Sequence, residues 1–121
     1  MRSNEITEVK MKASRTYKVG STGEAALPAI AAKVKKHFIS TFPLVEVDYW
    51  KGDEPNCYYL SVAHPDLTLS LQQQGDRSDL KYIAEQHPDV VRTDDGDTGI
   101  PSNTDMINGA LPWVSIRVYC K

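Results

Sequence analysis

A chain of 121 residues with 40% hydrophobic and 25% charged residues has the composition of one globular domain, not of a disordered segment. No apolar run approaches the roughly 20 residues that a membrane-spanning helix needs, and the polar N-terminus lacks the pattern of a secretory signal peptide. We therefore expect a cytoplasmic protein without membrane contacts. Two cysteines, Cys57 and Cys120, are too few for a disulfide framework and are expected to be reduced.

Charge is divided unevenly along the chain. Residues 1–40 contain eight Lys or Arg against three Glu, a net charge of +5, whereas residues 41–121 contain six against thirteen Asp or Glu, a net charge of −7. This division suits electrostatic steering of a charged partner, and a solvated lysine face with turn-forming aspartates is the alternative. Residues 1–10 have no apolar periodicity, which predicts a disordered extension before a single α+β domain over 11–121. Weak alternation at 15–19 predicts an edge strand.

An amphipathic helix is predicted over 22–39. Apolar side chains recur there at intervals of three and four, which places them on one stripe: Leu27, Ile30, Ala31, Val34 and Phe38. Ser21 and Glu24 have the spacing of a capping box. Pro28 clashes with a helix that is already regular, so we expect the regular helix to begin at this proline. Phe42-Pro43 ends the element.

After this helix the hydrophobic period changes to two. Alternating apolar and polar residues predict strands at 44–50, 57–63 and 67–72. The intervening segments, 51–56 and His64-Pro65-Asp66, are rich in turn-forming residues. Three strands with short connections predict an antiparallel meander, with the helix stripe against one of its faces.

The C-terminal third is predicted to contain a second, short helix and one more strand. The helix covers 76–86, with Ser78 as its N-cap and Leu80 on its apolar edge. Residues 89–112 read as a long polar connection with a helical turn at 105–108, and Trp113 begins the final strand. The fold class is therefore α+β: a mostly antiparallel sheet of four or five strands, one main amphipathic helix on one face and a second short helix.

No motif in the chain has the spacing of a catalytic, cofactor or metal site. The acidic run that contains Asp94, Asp95 and Asp97 lacks the flanking helices and the ligand spacing of a calcium loop, so we interpret it as a solvated loop. We predict no catalytic residue, no cofactor and no metal. A small enzyme built from dispersed residues such as His64 and Cys57 stays open as an alternative.

The candidate partner-binding residues are aromatic and acidic. Trp50, Trp113 and Tyr119 fall on the polar phases of their strands, and Trp and Tyr are residues that protein interfaces prefer. Together with Asp94, Asp95 and Asp97 they predict a surface for another protein that has a basic surface. The alternative is that the acidic loop covers these aromatics and makes them part of the core.

A second hypothesis uses the lysines of the main helix. Lys33, Lys35 and Lys36 lie off its apolar stripe and are candidate contacts to nucleic acid, a less favoured partner. The net charge of −2 argues against this hypothesis. A solvated helix face is the simpler interpretation of the three lysines.

Residues 22–63 carry one resemblance. The Ala/Lys-rich helix segment at 31–38, the Phe42-Pro43 stop and the strands at 44–50 and 57–63 resemble the small accessory domains of polyvalent proteins of phages and conjugative elements. The resemblance implies a mobile-element protein that acts by binding and has no catalytic residues to transfer. By analogy with other small acidic phage proteins, an inhibitor of a host defence system is the function that it implies.

Overall fold

The computed structural model describes residues 22–121. Over this range the helices are α1, α2 and α3 and the strands are β1 to β4, in the order α1 Gly23–Ile39, β1 Glu46–Lys51, β2 Cys57–Ala63, a 3-10 turn Pro65–Thr68, α2 Ser70–Glu85, β3 Val90–Gly99, α3 Asn103–Ile107 and β4 Trp113–Cys120. The strands form one sheet in the order β1-β2-β4-β3, and every neighbouring pair is antiparallel. The predicted α+β class is confirmed. The expected edge strand at 15–19 and the extension at 1–10 lie outside the described residues.

Helix α1 is confirmed, but the expectation that it begins regularly at Pro28 is wrong. It begins at Gly23 and contains Pro28 in its interior. Its first turn packs closely on the sheet: a Cβ at position 23 would lie 2.0 Å from the ring of Tyr58, so only glycine allows this approach. The hydroxyl of Thr22 donates to the carbonyl oxygen of Lys121 at 3.0 Å and does not cap the helix.

The predicted third strand at 67–72 is wrong. Leu67 is fully buried in the 3-10 turn, whereas Leu69 and Leu71 are 62% and 83% exposed. The second helix predicted over 76–86 is confirmed as α2, but it begins earlier, at Ser70, and has 16 residues. The alternation of leucines therefore does not mark a strand, because only the first of the three reaches the core.

The first part of the predicted polar connection at 89–112 is strand β3, which has 10 residues. The side chains of β3 that face the helices form hydrogen bonds and an ion pair with α2 and are not apolar. The sequence of this strand therefore lacks a hydrophobic alternation. The contacts join Arg77 to Thr98 at 2.5 Å, Lys81 to Asp95 at 2.8 Å, and Glu85 to Thr93. The predicted helical turn near 105 is confirmed as α3, and Gly109 with φ +102° follows it.

Both His-Pro-Asp tripeptides form the same turn. The ring Nδ1 of His64 accepts the backbone N–H of Asp66 at 3.3 Å, and that of His87 accepts the N–H of Asp89 at 3.1 Å. Each histidine carbonyl also accepts an N–H from the third residue after it. The tripeptide is thus a self-capped turn that appears once before α2 and once after it.

The apolar core lies between the sheet and the two long helices. Helix α1 contributes Leu27, Ile30, Val34 and Phe38, α2 contributes Leu80 and Ala84, and the sheet contributes Leu60, Val62, Val114, Ile116 and Val118. Because residues of one strand alternate between its faces, the intervening residues of β2 and β4 point to the other side of the sheet. We call that other side the open face.

Candidate functional site

Side chains of all four strands form a row across the open face. Trp50 of β1 pairs with Tyr59 of β2, and their rings stack with centroids 5.5 Å apart and planes 19° apart. Tyr59 pairs in turn with Arg117 of β4. Asp94 of β3 pairs with Arg117 and completes the row. Because paired residues of neighbouring strands point to the same side, two aromatic rings, a guanidinium and a carboxylate lie side by side.

A second row contains Arg92 and Tyr119. The guanidinium carbon of Arg92 lies 3.7 Å from the centroid of the Tyr119 ring. Arg92 also pairs with Asp94, and this hydrogen bond is the main cause that raises the pKa of Arg92 above its ordinary value. The hydroxyl of Tyr119 donates to the carboxylate of Glu54 at 3.3 Å, and burial raises the pKa of Tyr119. At 8% exposure Tyr119 is buried, so the prediction that it is an exposed aromatic is wrong.

Small side chains lie on the other side of the first row. Ser61 of β2 pairs with Ser115 of β4, and the hydroxyl of Ser115 accepts the backbone N–H of Asp97 at 2.9 Å. Beyond the serines, the half-buried indole of Trp113 covers Gly99, where a Cβ would lie 2.3 Å from the ring. Both serines are buried, at 8% and 1% exposure, so the middle of the open face is closed to solvent.

Arg117 is the unsatisfied member of this surface. Within residues 22–121 its Nε is the buried side-chain nitrogen or oxygen that lacks a hydrogen-bond partner. Native proteins rarely leave a buried donor without an acceptor, so this nitrogen is an exception within the described residues. The carboxylate of the neighbouring Asp94 pairs with Arg92 through one of its oxygens.

The three predicted aspartates do not all lie on one surface. Asp94 lies on the open face, whereas Asp95 lies on the helix side and pairs with Lys81 at 2.8 Å. The hydrogen bond from Lys81 is the main cause that lowers the pKa of Asp95. Asp97 lies in a register shift between Asp95 and Thr98. The alternative that an acidic loop covers the aromatics is also wrong, because these residues belong to a strand of the same sheet.

Sequence reasoning missed three members of the open face: Tyr59, Arg92 and Arg117. Tyr59 and Arg117 could have been predicted from the sequence, because they lie on the polar phases of β2 and β4 together with residues that were singled out. Arg92 could not have been predicted, because the strand that carries it was not recognised in the sequence. Four predicted residues share the open face: Trp50, Trp113, Tyr119 and Asp94. Of these, Trp50 is 44% exposed and Tyr119 is buried.

The helix lysines do not form one patch. A groove of about 460 Å³ lies between α1 and α2, and its lining includes Lys33, Lys36 and His37 from α1 and Asp79, Tyr82 and Ile83 from α2. Lys35 is two residues from Lys33 on the helix, about 200° around its axis, and is not part of this lining. His37 Nε2 and a carboxylate oxygen of Asp79 are 3.1 Å apart across the groove.

His64 is enclosed in the core and is not an accessible base. Its ring is fully buried and stacks on Phe42 at 3.7 Å between centroids. Because Nδ1 accepts the N–H of Asp66, Nε2 carries the proton and donates to Asp76 at 2.5 Å. With both ring nitrogens engaged, this histidine connects the 3-10 turn to α2. Cys57 is also buried, at 2% exposure.

In the part of the chain that the structure describes, no three His, Cys, Asp or Glu side chains converge where a metal ion would fit. Within residues 22–121, no helix is both long and apolar enough to cross a bilayer. Comparison with protein-family models, with curated proteins and with solved structures found no significant match.

Proposed function

We propose that this chain is a non-catalytic binding protein whose open face holds another protein. The observation that supports the proposal is the row that joins the stacked Trp50 and Tyr59 to Arg117. Trp, Tyr and Arg are the residues that most often dominate the energy of protein interfaces. Here they lie on rigid strands, so little conformational entropy is lost when a partner binds.

The charge of the open face indicates the character of the partner. Carboxylates of Glu46, Asp48 and Asp94 outnumber the guanidiniums of Arg92 and Arg117 on this side of the sheet. A protein with a predominantly basic surface complements this arrangement and is steered toward it. A phosphate backbone is repelled by the same carboxylates.

The resemblance of residues 22–63 to accessory domains of phage and conjugative-element proteins extends the proposal to a biological role. A cytoplasmic inhibitor that covers a basic, nucleic-acid-binding surface of a host defence protein fits both the acidic open face and the aromatic row. The analogy with small acidic phage proteins supports this role, and the partner itself is to be found by experiment.

The test is capture of a partner from a bacterial lysate with the tagged full-length chain, with and without nuclease. We expect a protein partner to be captured in stoichiometric amount with and without nuclease. We expect the Trp50→Ala variant to lose this capture. Tyr82→Ala is the matched control, because Tyr82 is a 69% exposed aromatic on α2, away from the open face. Partner capture that Trp50→Ala leaves intact and Tyr82→Ala abolishes would exclude the open face and assign binding to the helices.

A second candidate function is nucleic-acid binding through the helix lysines. The groove that Lys33 and Lys36 line favours it, because both ammonium groups border one concave surface. Replacing Lys33, Lys35 and Lys36 with Gln discriminates the two functions. Only the second predicts that nucleic acid co-purifies with the chain and that the triple variant loses it.

A further inference from the structure

We infer that the free edge of strand β1 binds an extended segment of the partner protein that carries lysine or arginine at every second position. The inference rests on the proposed function and adds to it the mode of contact and the sequence pattern of the partner. Within the described residues the sheet has two outer strands, β1 and β3. The outer strand of an antiparallel sheet directs the N–H and C=O groups of every second residue away from its neighbour, so a further strand can pair with it.

The backbone of β1 is available for such pairing. This strand pairs with β2 over six consecutive residues, from Glu46 to Lys51, without a register shift. Beyond that ladder, its backbone groups form no backbone hydrogen bond with any other part of residues 22–121. Five of its six residues are exposed. No helix or loop of the described chain therefore covers this edge.

The other outer strand is less suited to pairing. Strand β3 pairs with β4 with register shifts between Val90 and Arg92 and between Asp95 and Thr98. Such irregularities bend a strand and interrupt the row of outward groups that an added strand needs. Of the two edges, β1 is therefore the one that a straight segment can follow over its whole length.

The side chains of β1 indicate the sequence of the incoming segment. Glu46 and Asp48 are exposed on the open face. An added strand places every second side chain beside them, and opposite charges on neighbouring strands stabilise the pairing. On the helix side, the half-buried Val47 and the 43% exposed Tyr49 occupy the intervening positions. The segment that fits therefore alternates basic residues with β-branched or other apolar residues.

The same two carboxylates select against other occupants. A second copy of β1 brings its own Glu46 and Asp48 to the edge, and like charges on neighbouring strands are destabilising. A nucleic-acid strand has no row of N–H and C=O groups to pair, and its phosphates are repelled. A basic extended segment uses both features of the edge, the backbone groups and the charge, and it agrees with the basic partner proposed for the open face.

The test uses the full chain and a synthetic hexapeptide, Lys-Val-Lys-Val-Lys-Val, blocked at both ends. Backbone amide signals are followed by NMR while the peptide is added at constant ionic strength. We expect saturable shifts of the β1 signals, with a Kd of roughly 1 mM, and no comparable shifts in β3. At about ten times this Kd, the amide protons of β1 that point away from β2 are expected to exchange with water about tenfold more slowly.

Two matched controls separate strand pairing from attraction of charge. The peptide Lys-Pro-Lys-Pro-Lys-Pro keeps the three charges, but its prolines cannot take part in a ladder, so we expect no saturable shift in β1. In the protein, Glu46→Gln with Asp48→Asn is expected to weaken binding of the valine peptide about fivefold. Asp66→Asn with Asp105→Asn removes the same charge from the 3-10 turn and α3, and we expect no more than about a twofold change there.

Three results would overturn the inference. If the proline peptide shifts β1 as strongly as the valine peptide does, the edge attracts charge and does not pair with a strand. If the signals of β1 and β3 shift equally, neither edge is selected. If the β1 signals move with protein concentration in the absence of peptide, the edge belongs to a second copy of this chain.

Partner capture separates this contact from the proposed function. If Trp50→Ala abolishes partner capture but β1 does not bind the valine peptide, the proposed function stands and strand pairing is rejected. If β1 binds the valine peptide and no protein is captured from the lysate, strand pairing stands and the proposed function is rejected.

Discussion

We expect replacement of Arg117 to weaken binding without lowering the stability of the fold. Removing an unsatisfied buried donor costs no hydrogen bond, so Arg117→Met is expected to leave the free energy of unfolding unchanged or raise it by up to about 1 kcal/mol. Urea unfolding measures this. Arg77→Met is the control, because Arg77 binds Thr98 at 2.5 Å and the carbonyl oxygen of Asp97 at 3.3 Å, and we expect a loss of about 1–2 kcal/mol there. A similar loss for Arg117→Met would show that its role is structural.

Cys120 makes stability depend on pH in the alkaline range. Burial, with the charge of Asp89 as a lesser cause, raises the pKa of this thiol from 9.0 to about 11. The unfolded thiol therefore loses its proton at a lower pH than the folded one. Stability is complete below pH 9 and is expected to decline as the pH rises from 9 to about 11.

The Cys120→Ala variant isolates this effect. The pKa of Tyr49 is also raised, by burial and by the charge of Glu24, so the whole chain is expected to lose stability in alkali from more than one group. Urea unfolding of both proteins between pH 8 and 11 gives the difference in slope. Parallel curves would mean that the Cys120 thiol titrates in the folded protein as it does in the unfolded chain.

At the scale of elements, β3 depends on close approach between strands. A Cβ at position 99 meets the indole of Trp113, so Gly99→Ala is expected to displace this ring and destabilise the fold by about 1–3 kcal/mol. Gly75→Ala is the matched control, because that position in α2 has nothing within 4 Å of a Cβ. There we expect a gain of about 0.5–1 kcal/mol from helix propensity. Thermal unfolding of both variants measures the two signs, and equal effects would reject the close approach.

The elements that the sequence predicts well are those stabilised by apolar periodicity. The stripe of α1 and the alternation of β2 and β4 are confirmed because their buried side chains are aliphatic or aromatic. The first turns of α2 and the whole of strand β3 escape prediction, and the contacts that join α2 to β3 are made by Arg, Lys, Asp, Glu and Thr side chains. Polar contacts between elements leave no period in a hydropathy pattern. At 67–71 the leucines alternate as in a strand, although only Leu67 is buried and its neighbours Leu69 and Leu71 are exposed.

The candidate site could be predicted only in part, because its residues come from strands that are distant in the sequence. Trp50 and Trp113 could be predicted from the polar phases of their strands, because a sheet that buries one face against helices leaves its other face for different contacts. Their neighbour Asp94 was identified by composition, yet its position beside Arg117 depends on the pairing of β3 with β4. Strand order is a property of the whole chain, and no local window contains it.

The whole molecule has an acidic open face and a helix side that carries the exposed lysines, so the position of a charge should matter more than its number. Asp48→Asn with Asp94→Asn removes two charges from the open face, whereas Asp79→Asn with Asp95→Asn removes two from the helix side. Once a partner is captured, we expect the first pair to weaken binding about tenfold and to flatten its dependence on salt. The second pair changes the net charge equally and is expected to leave both quantities nearly unaltered, as measured by titration calorimetry at several ionic strengths. Equal losses from the two pairs would mean that the partner responds to overall charge and makes no contact specific to the open face.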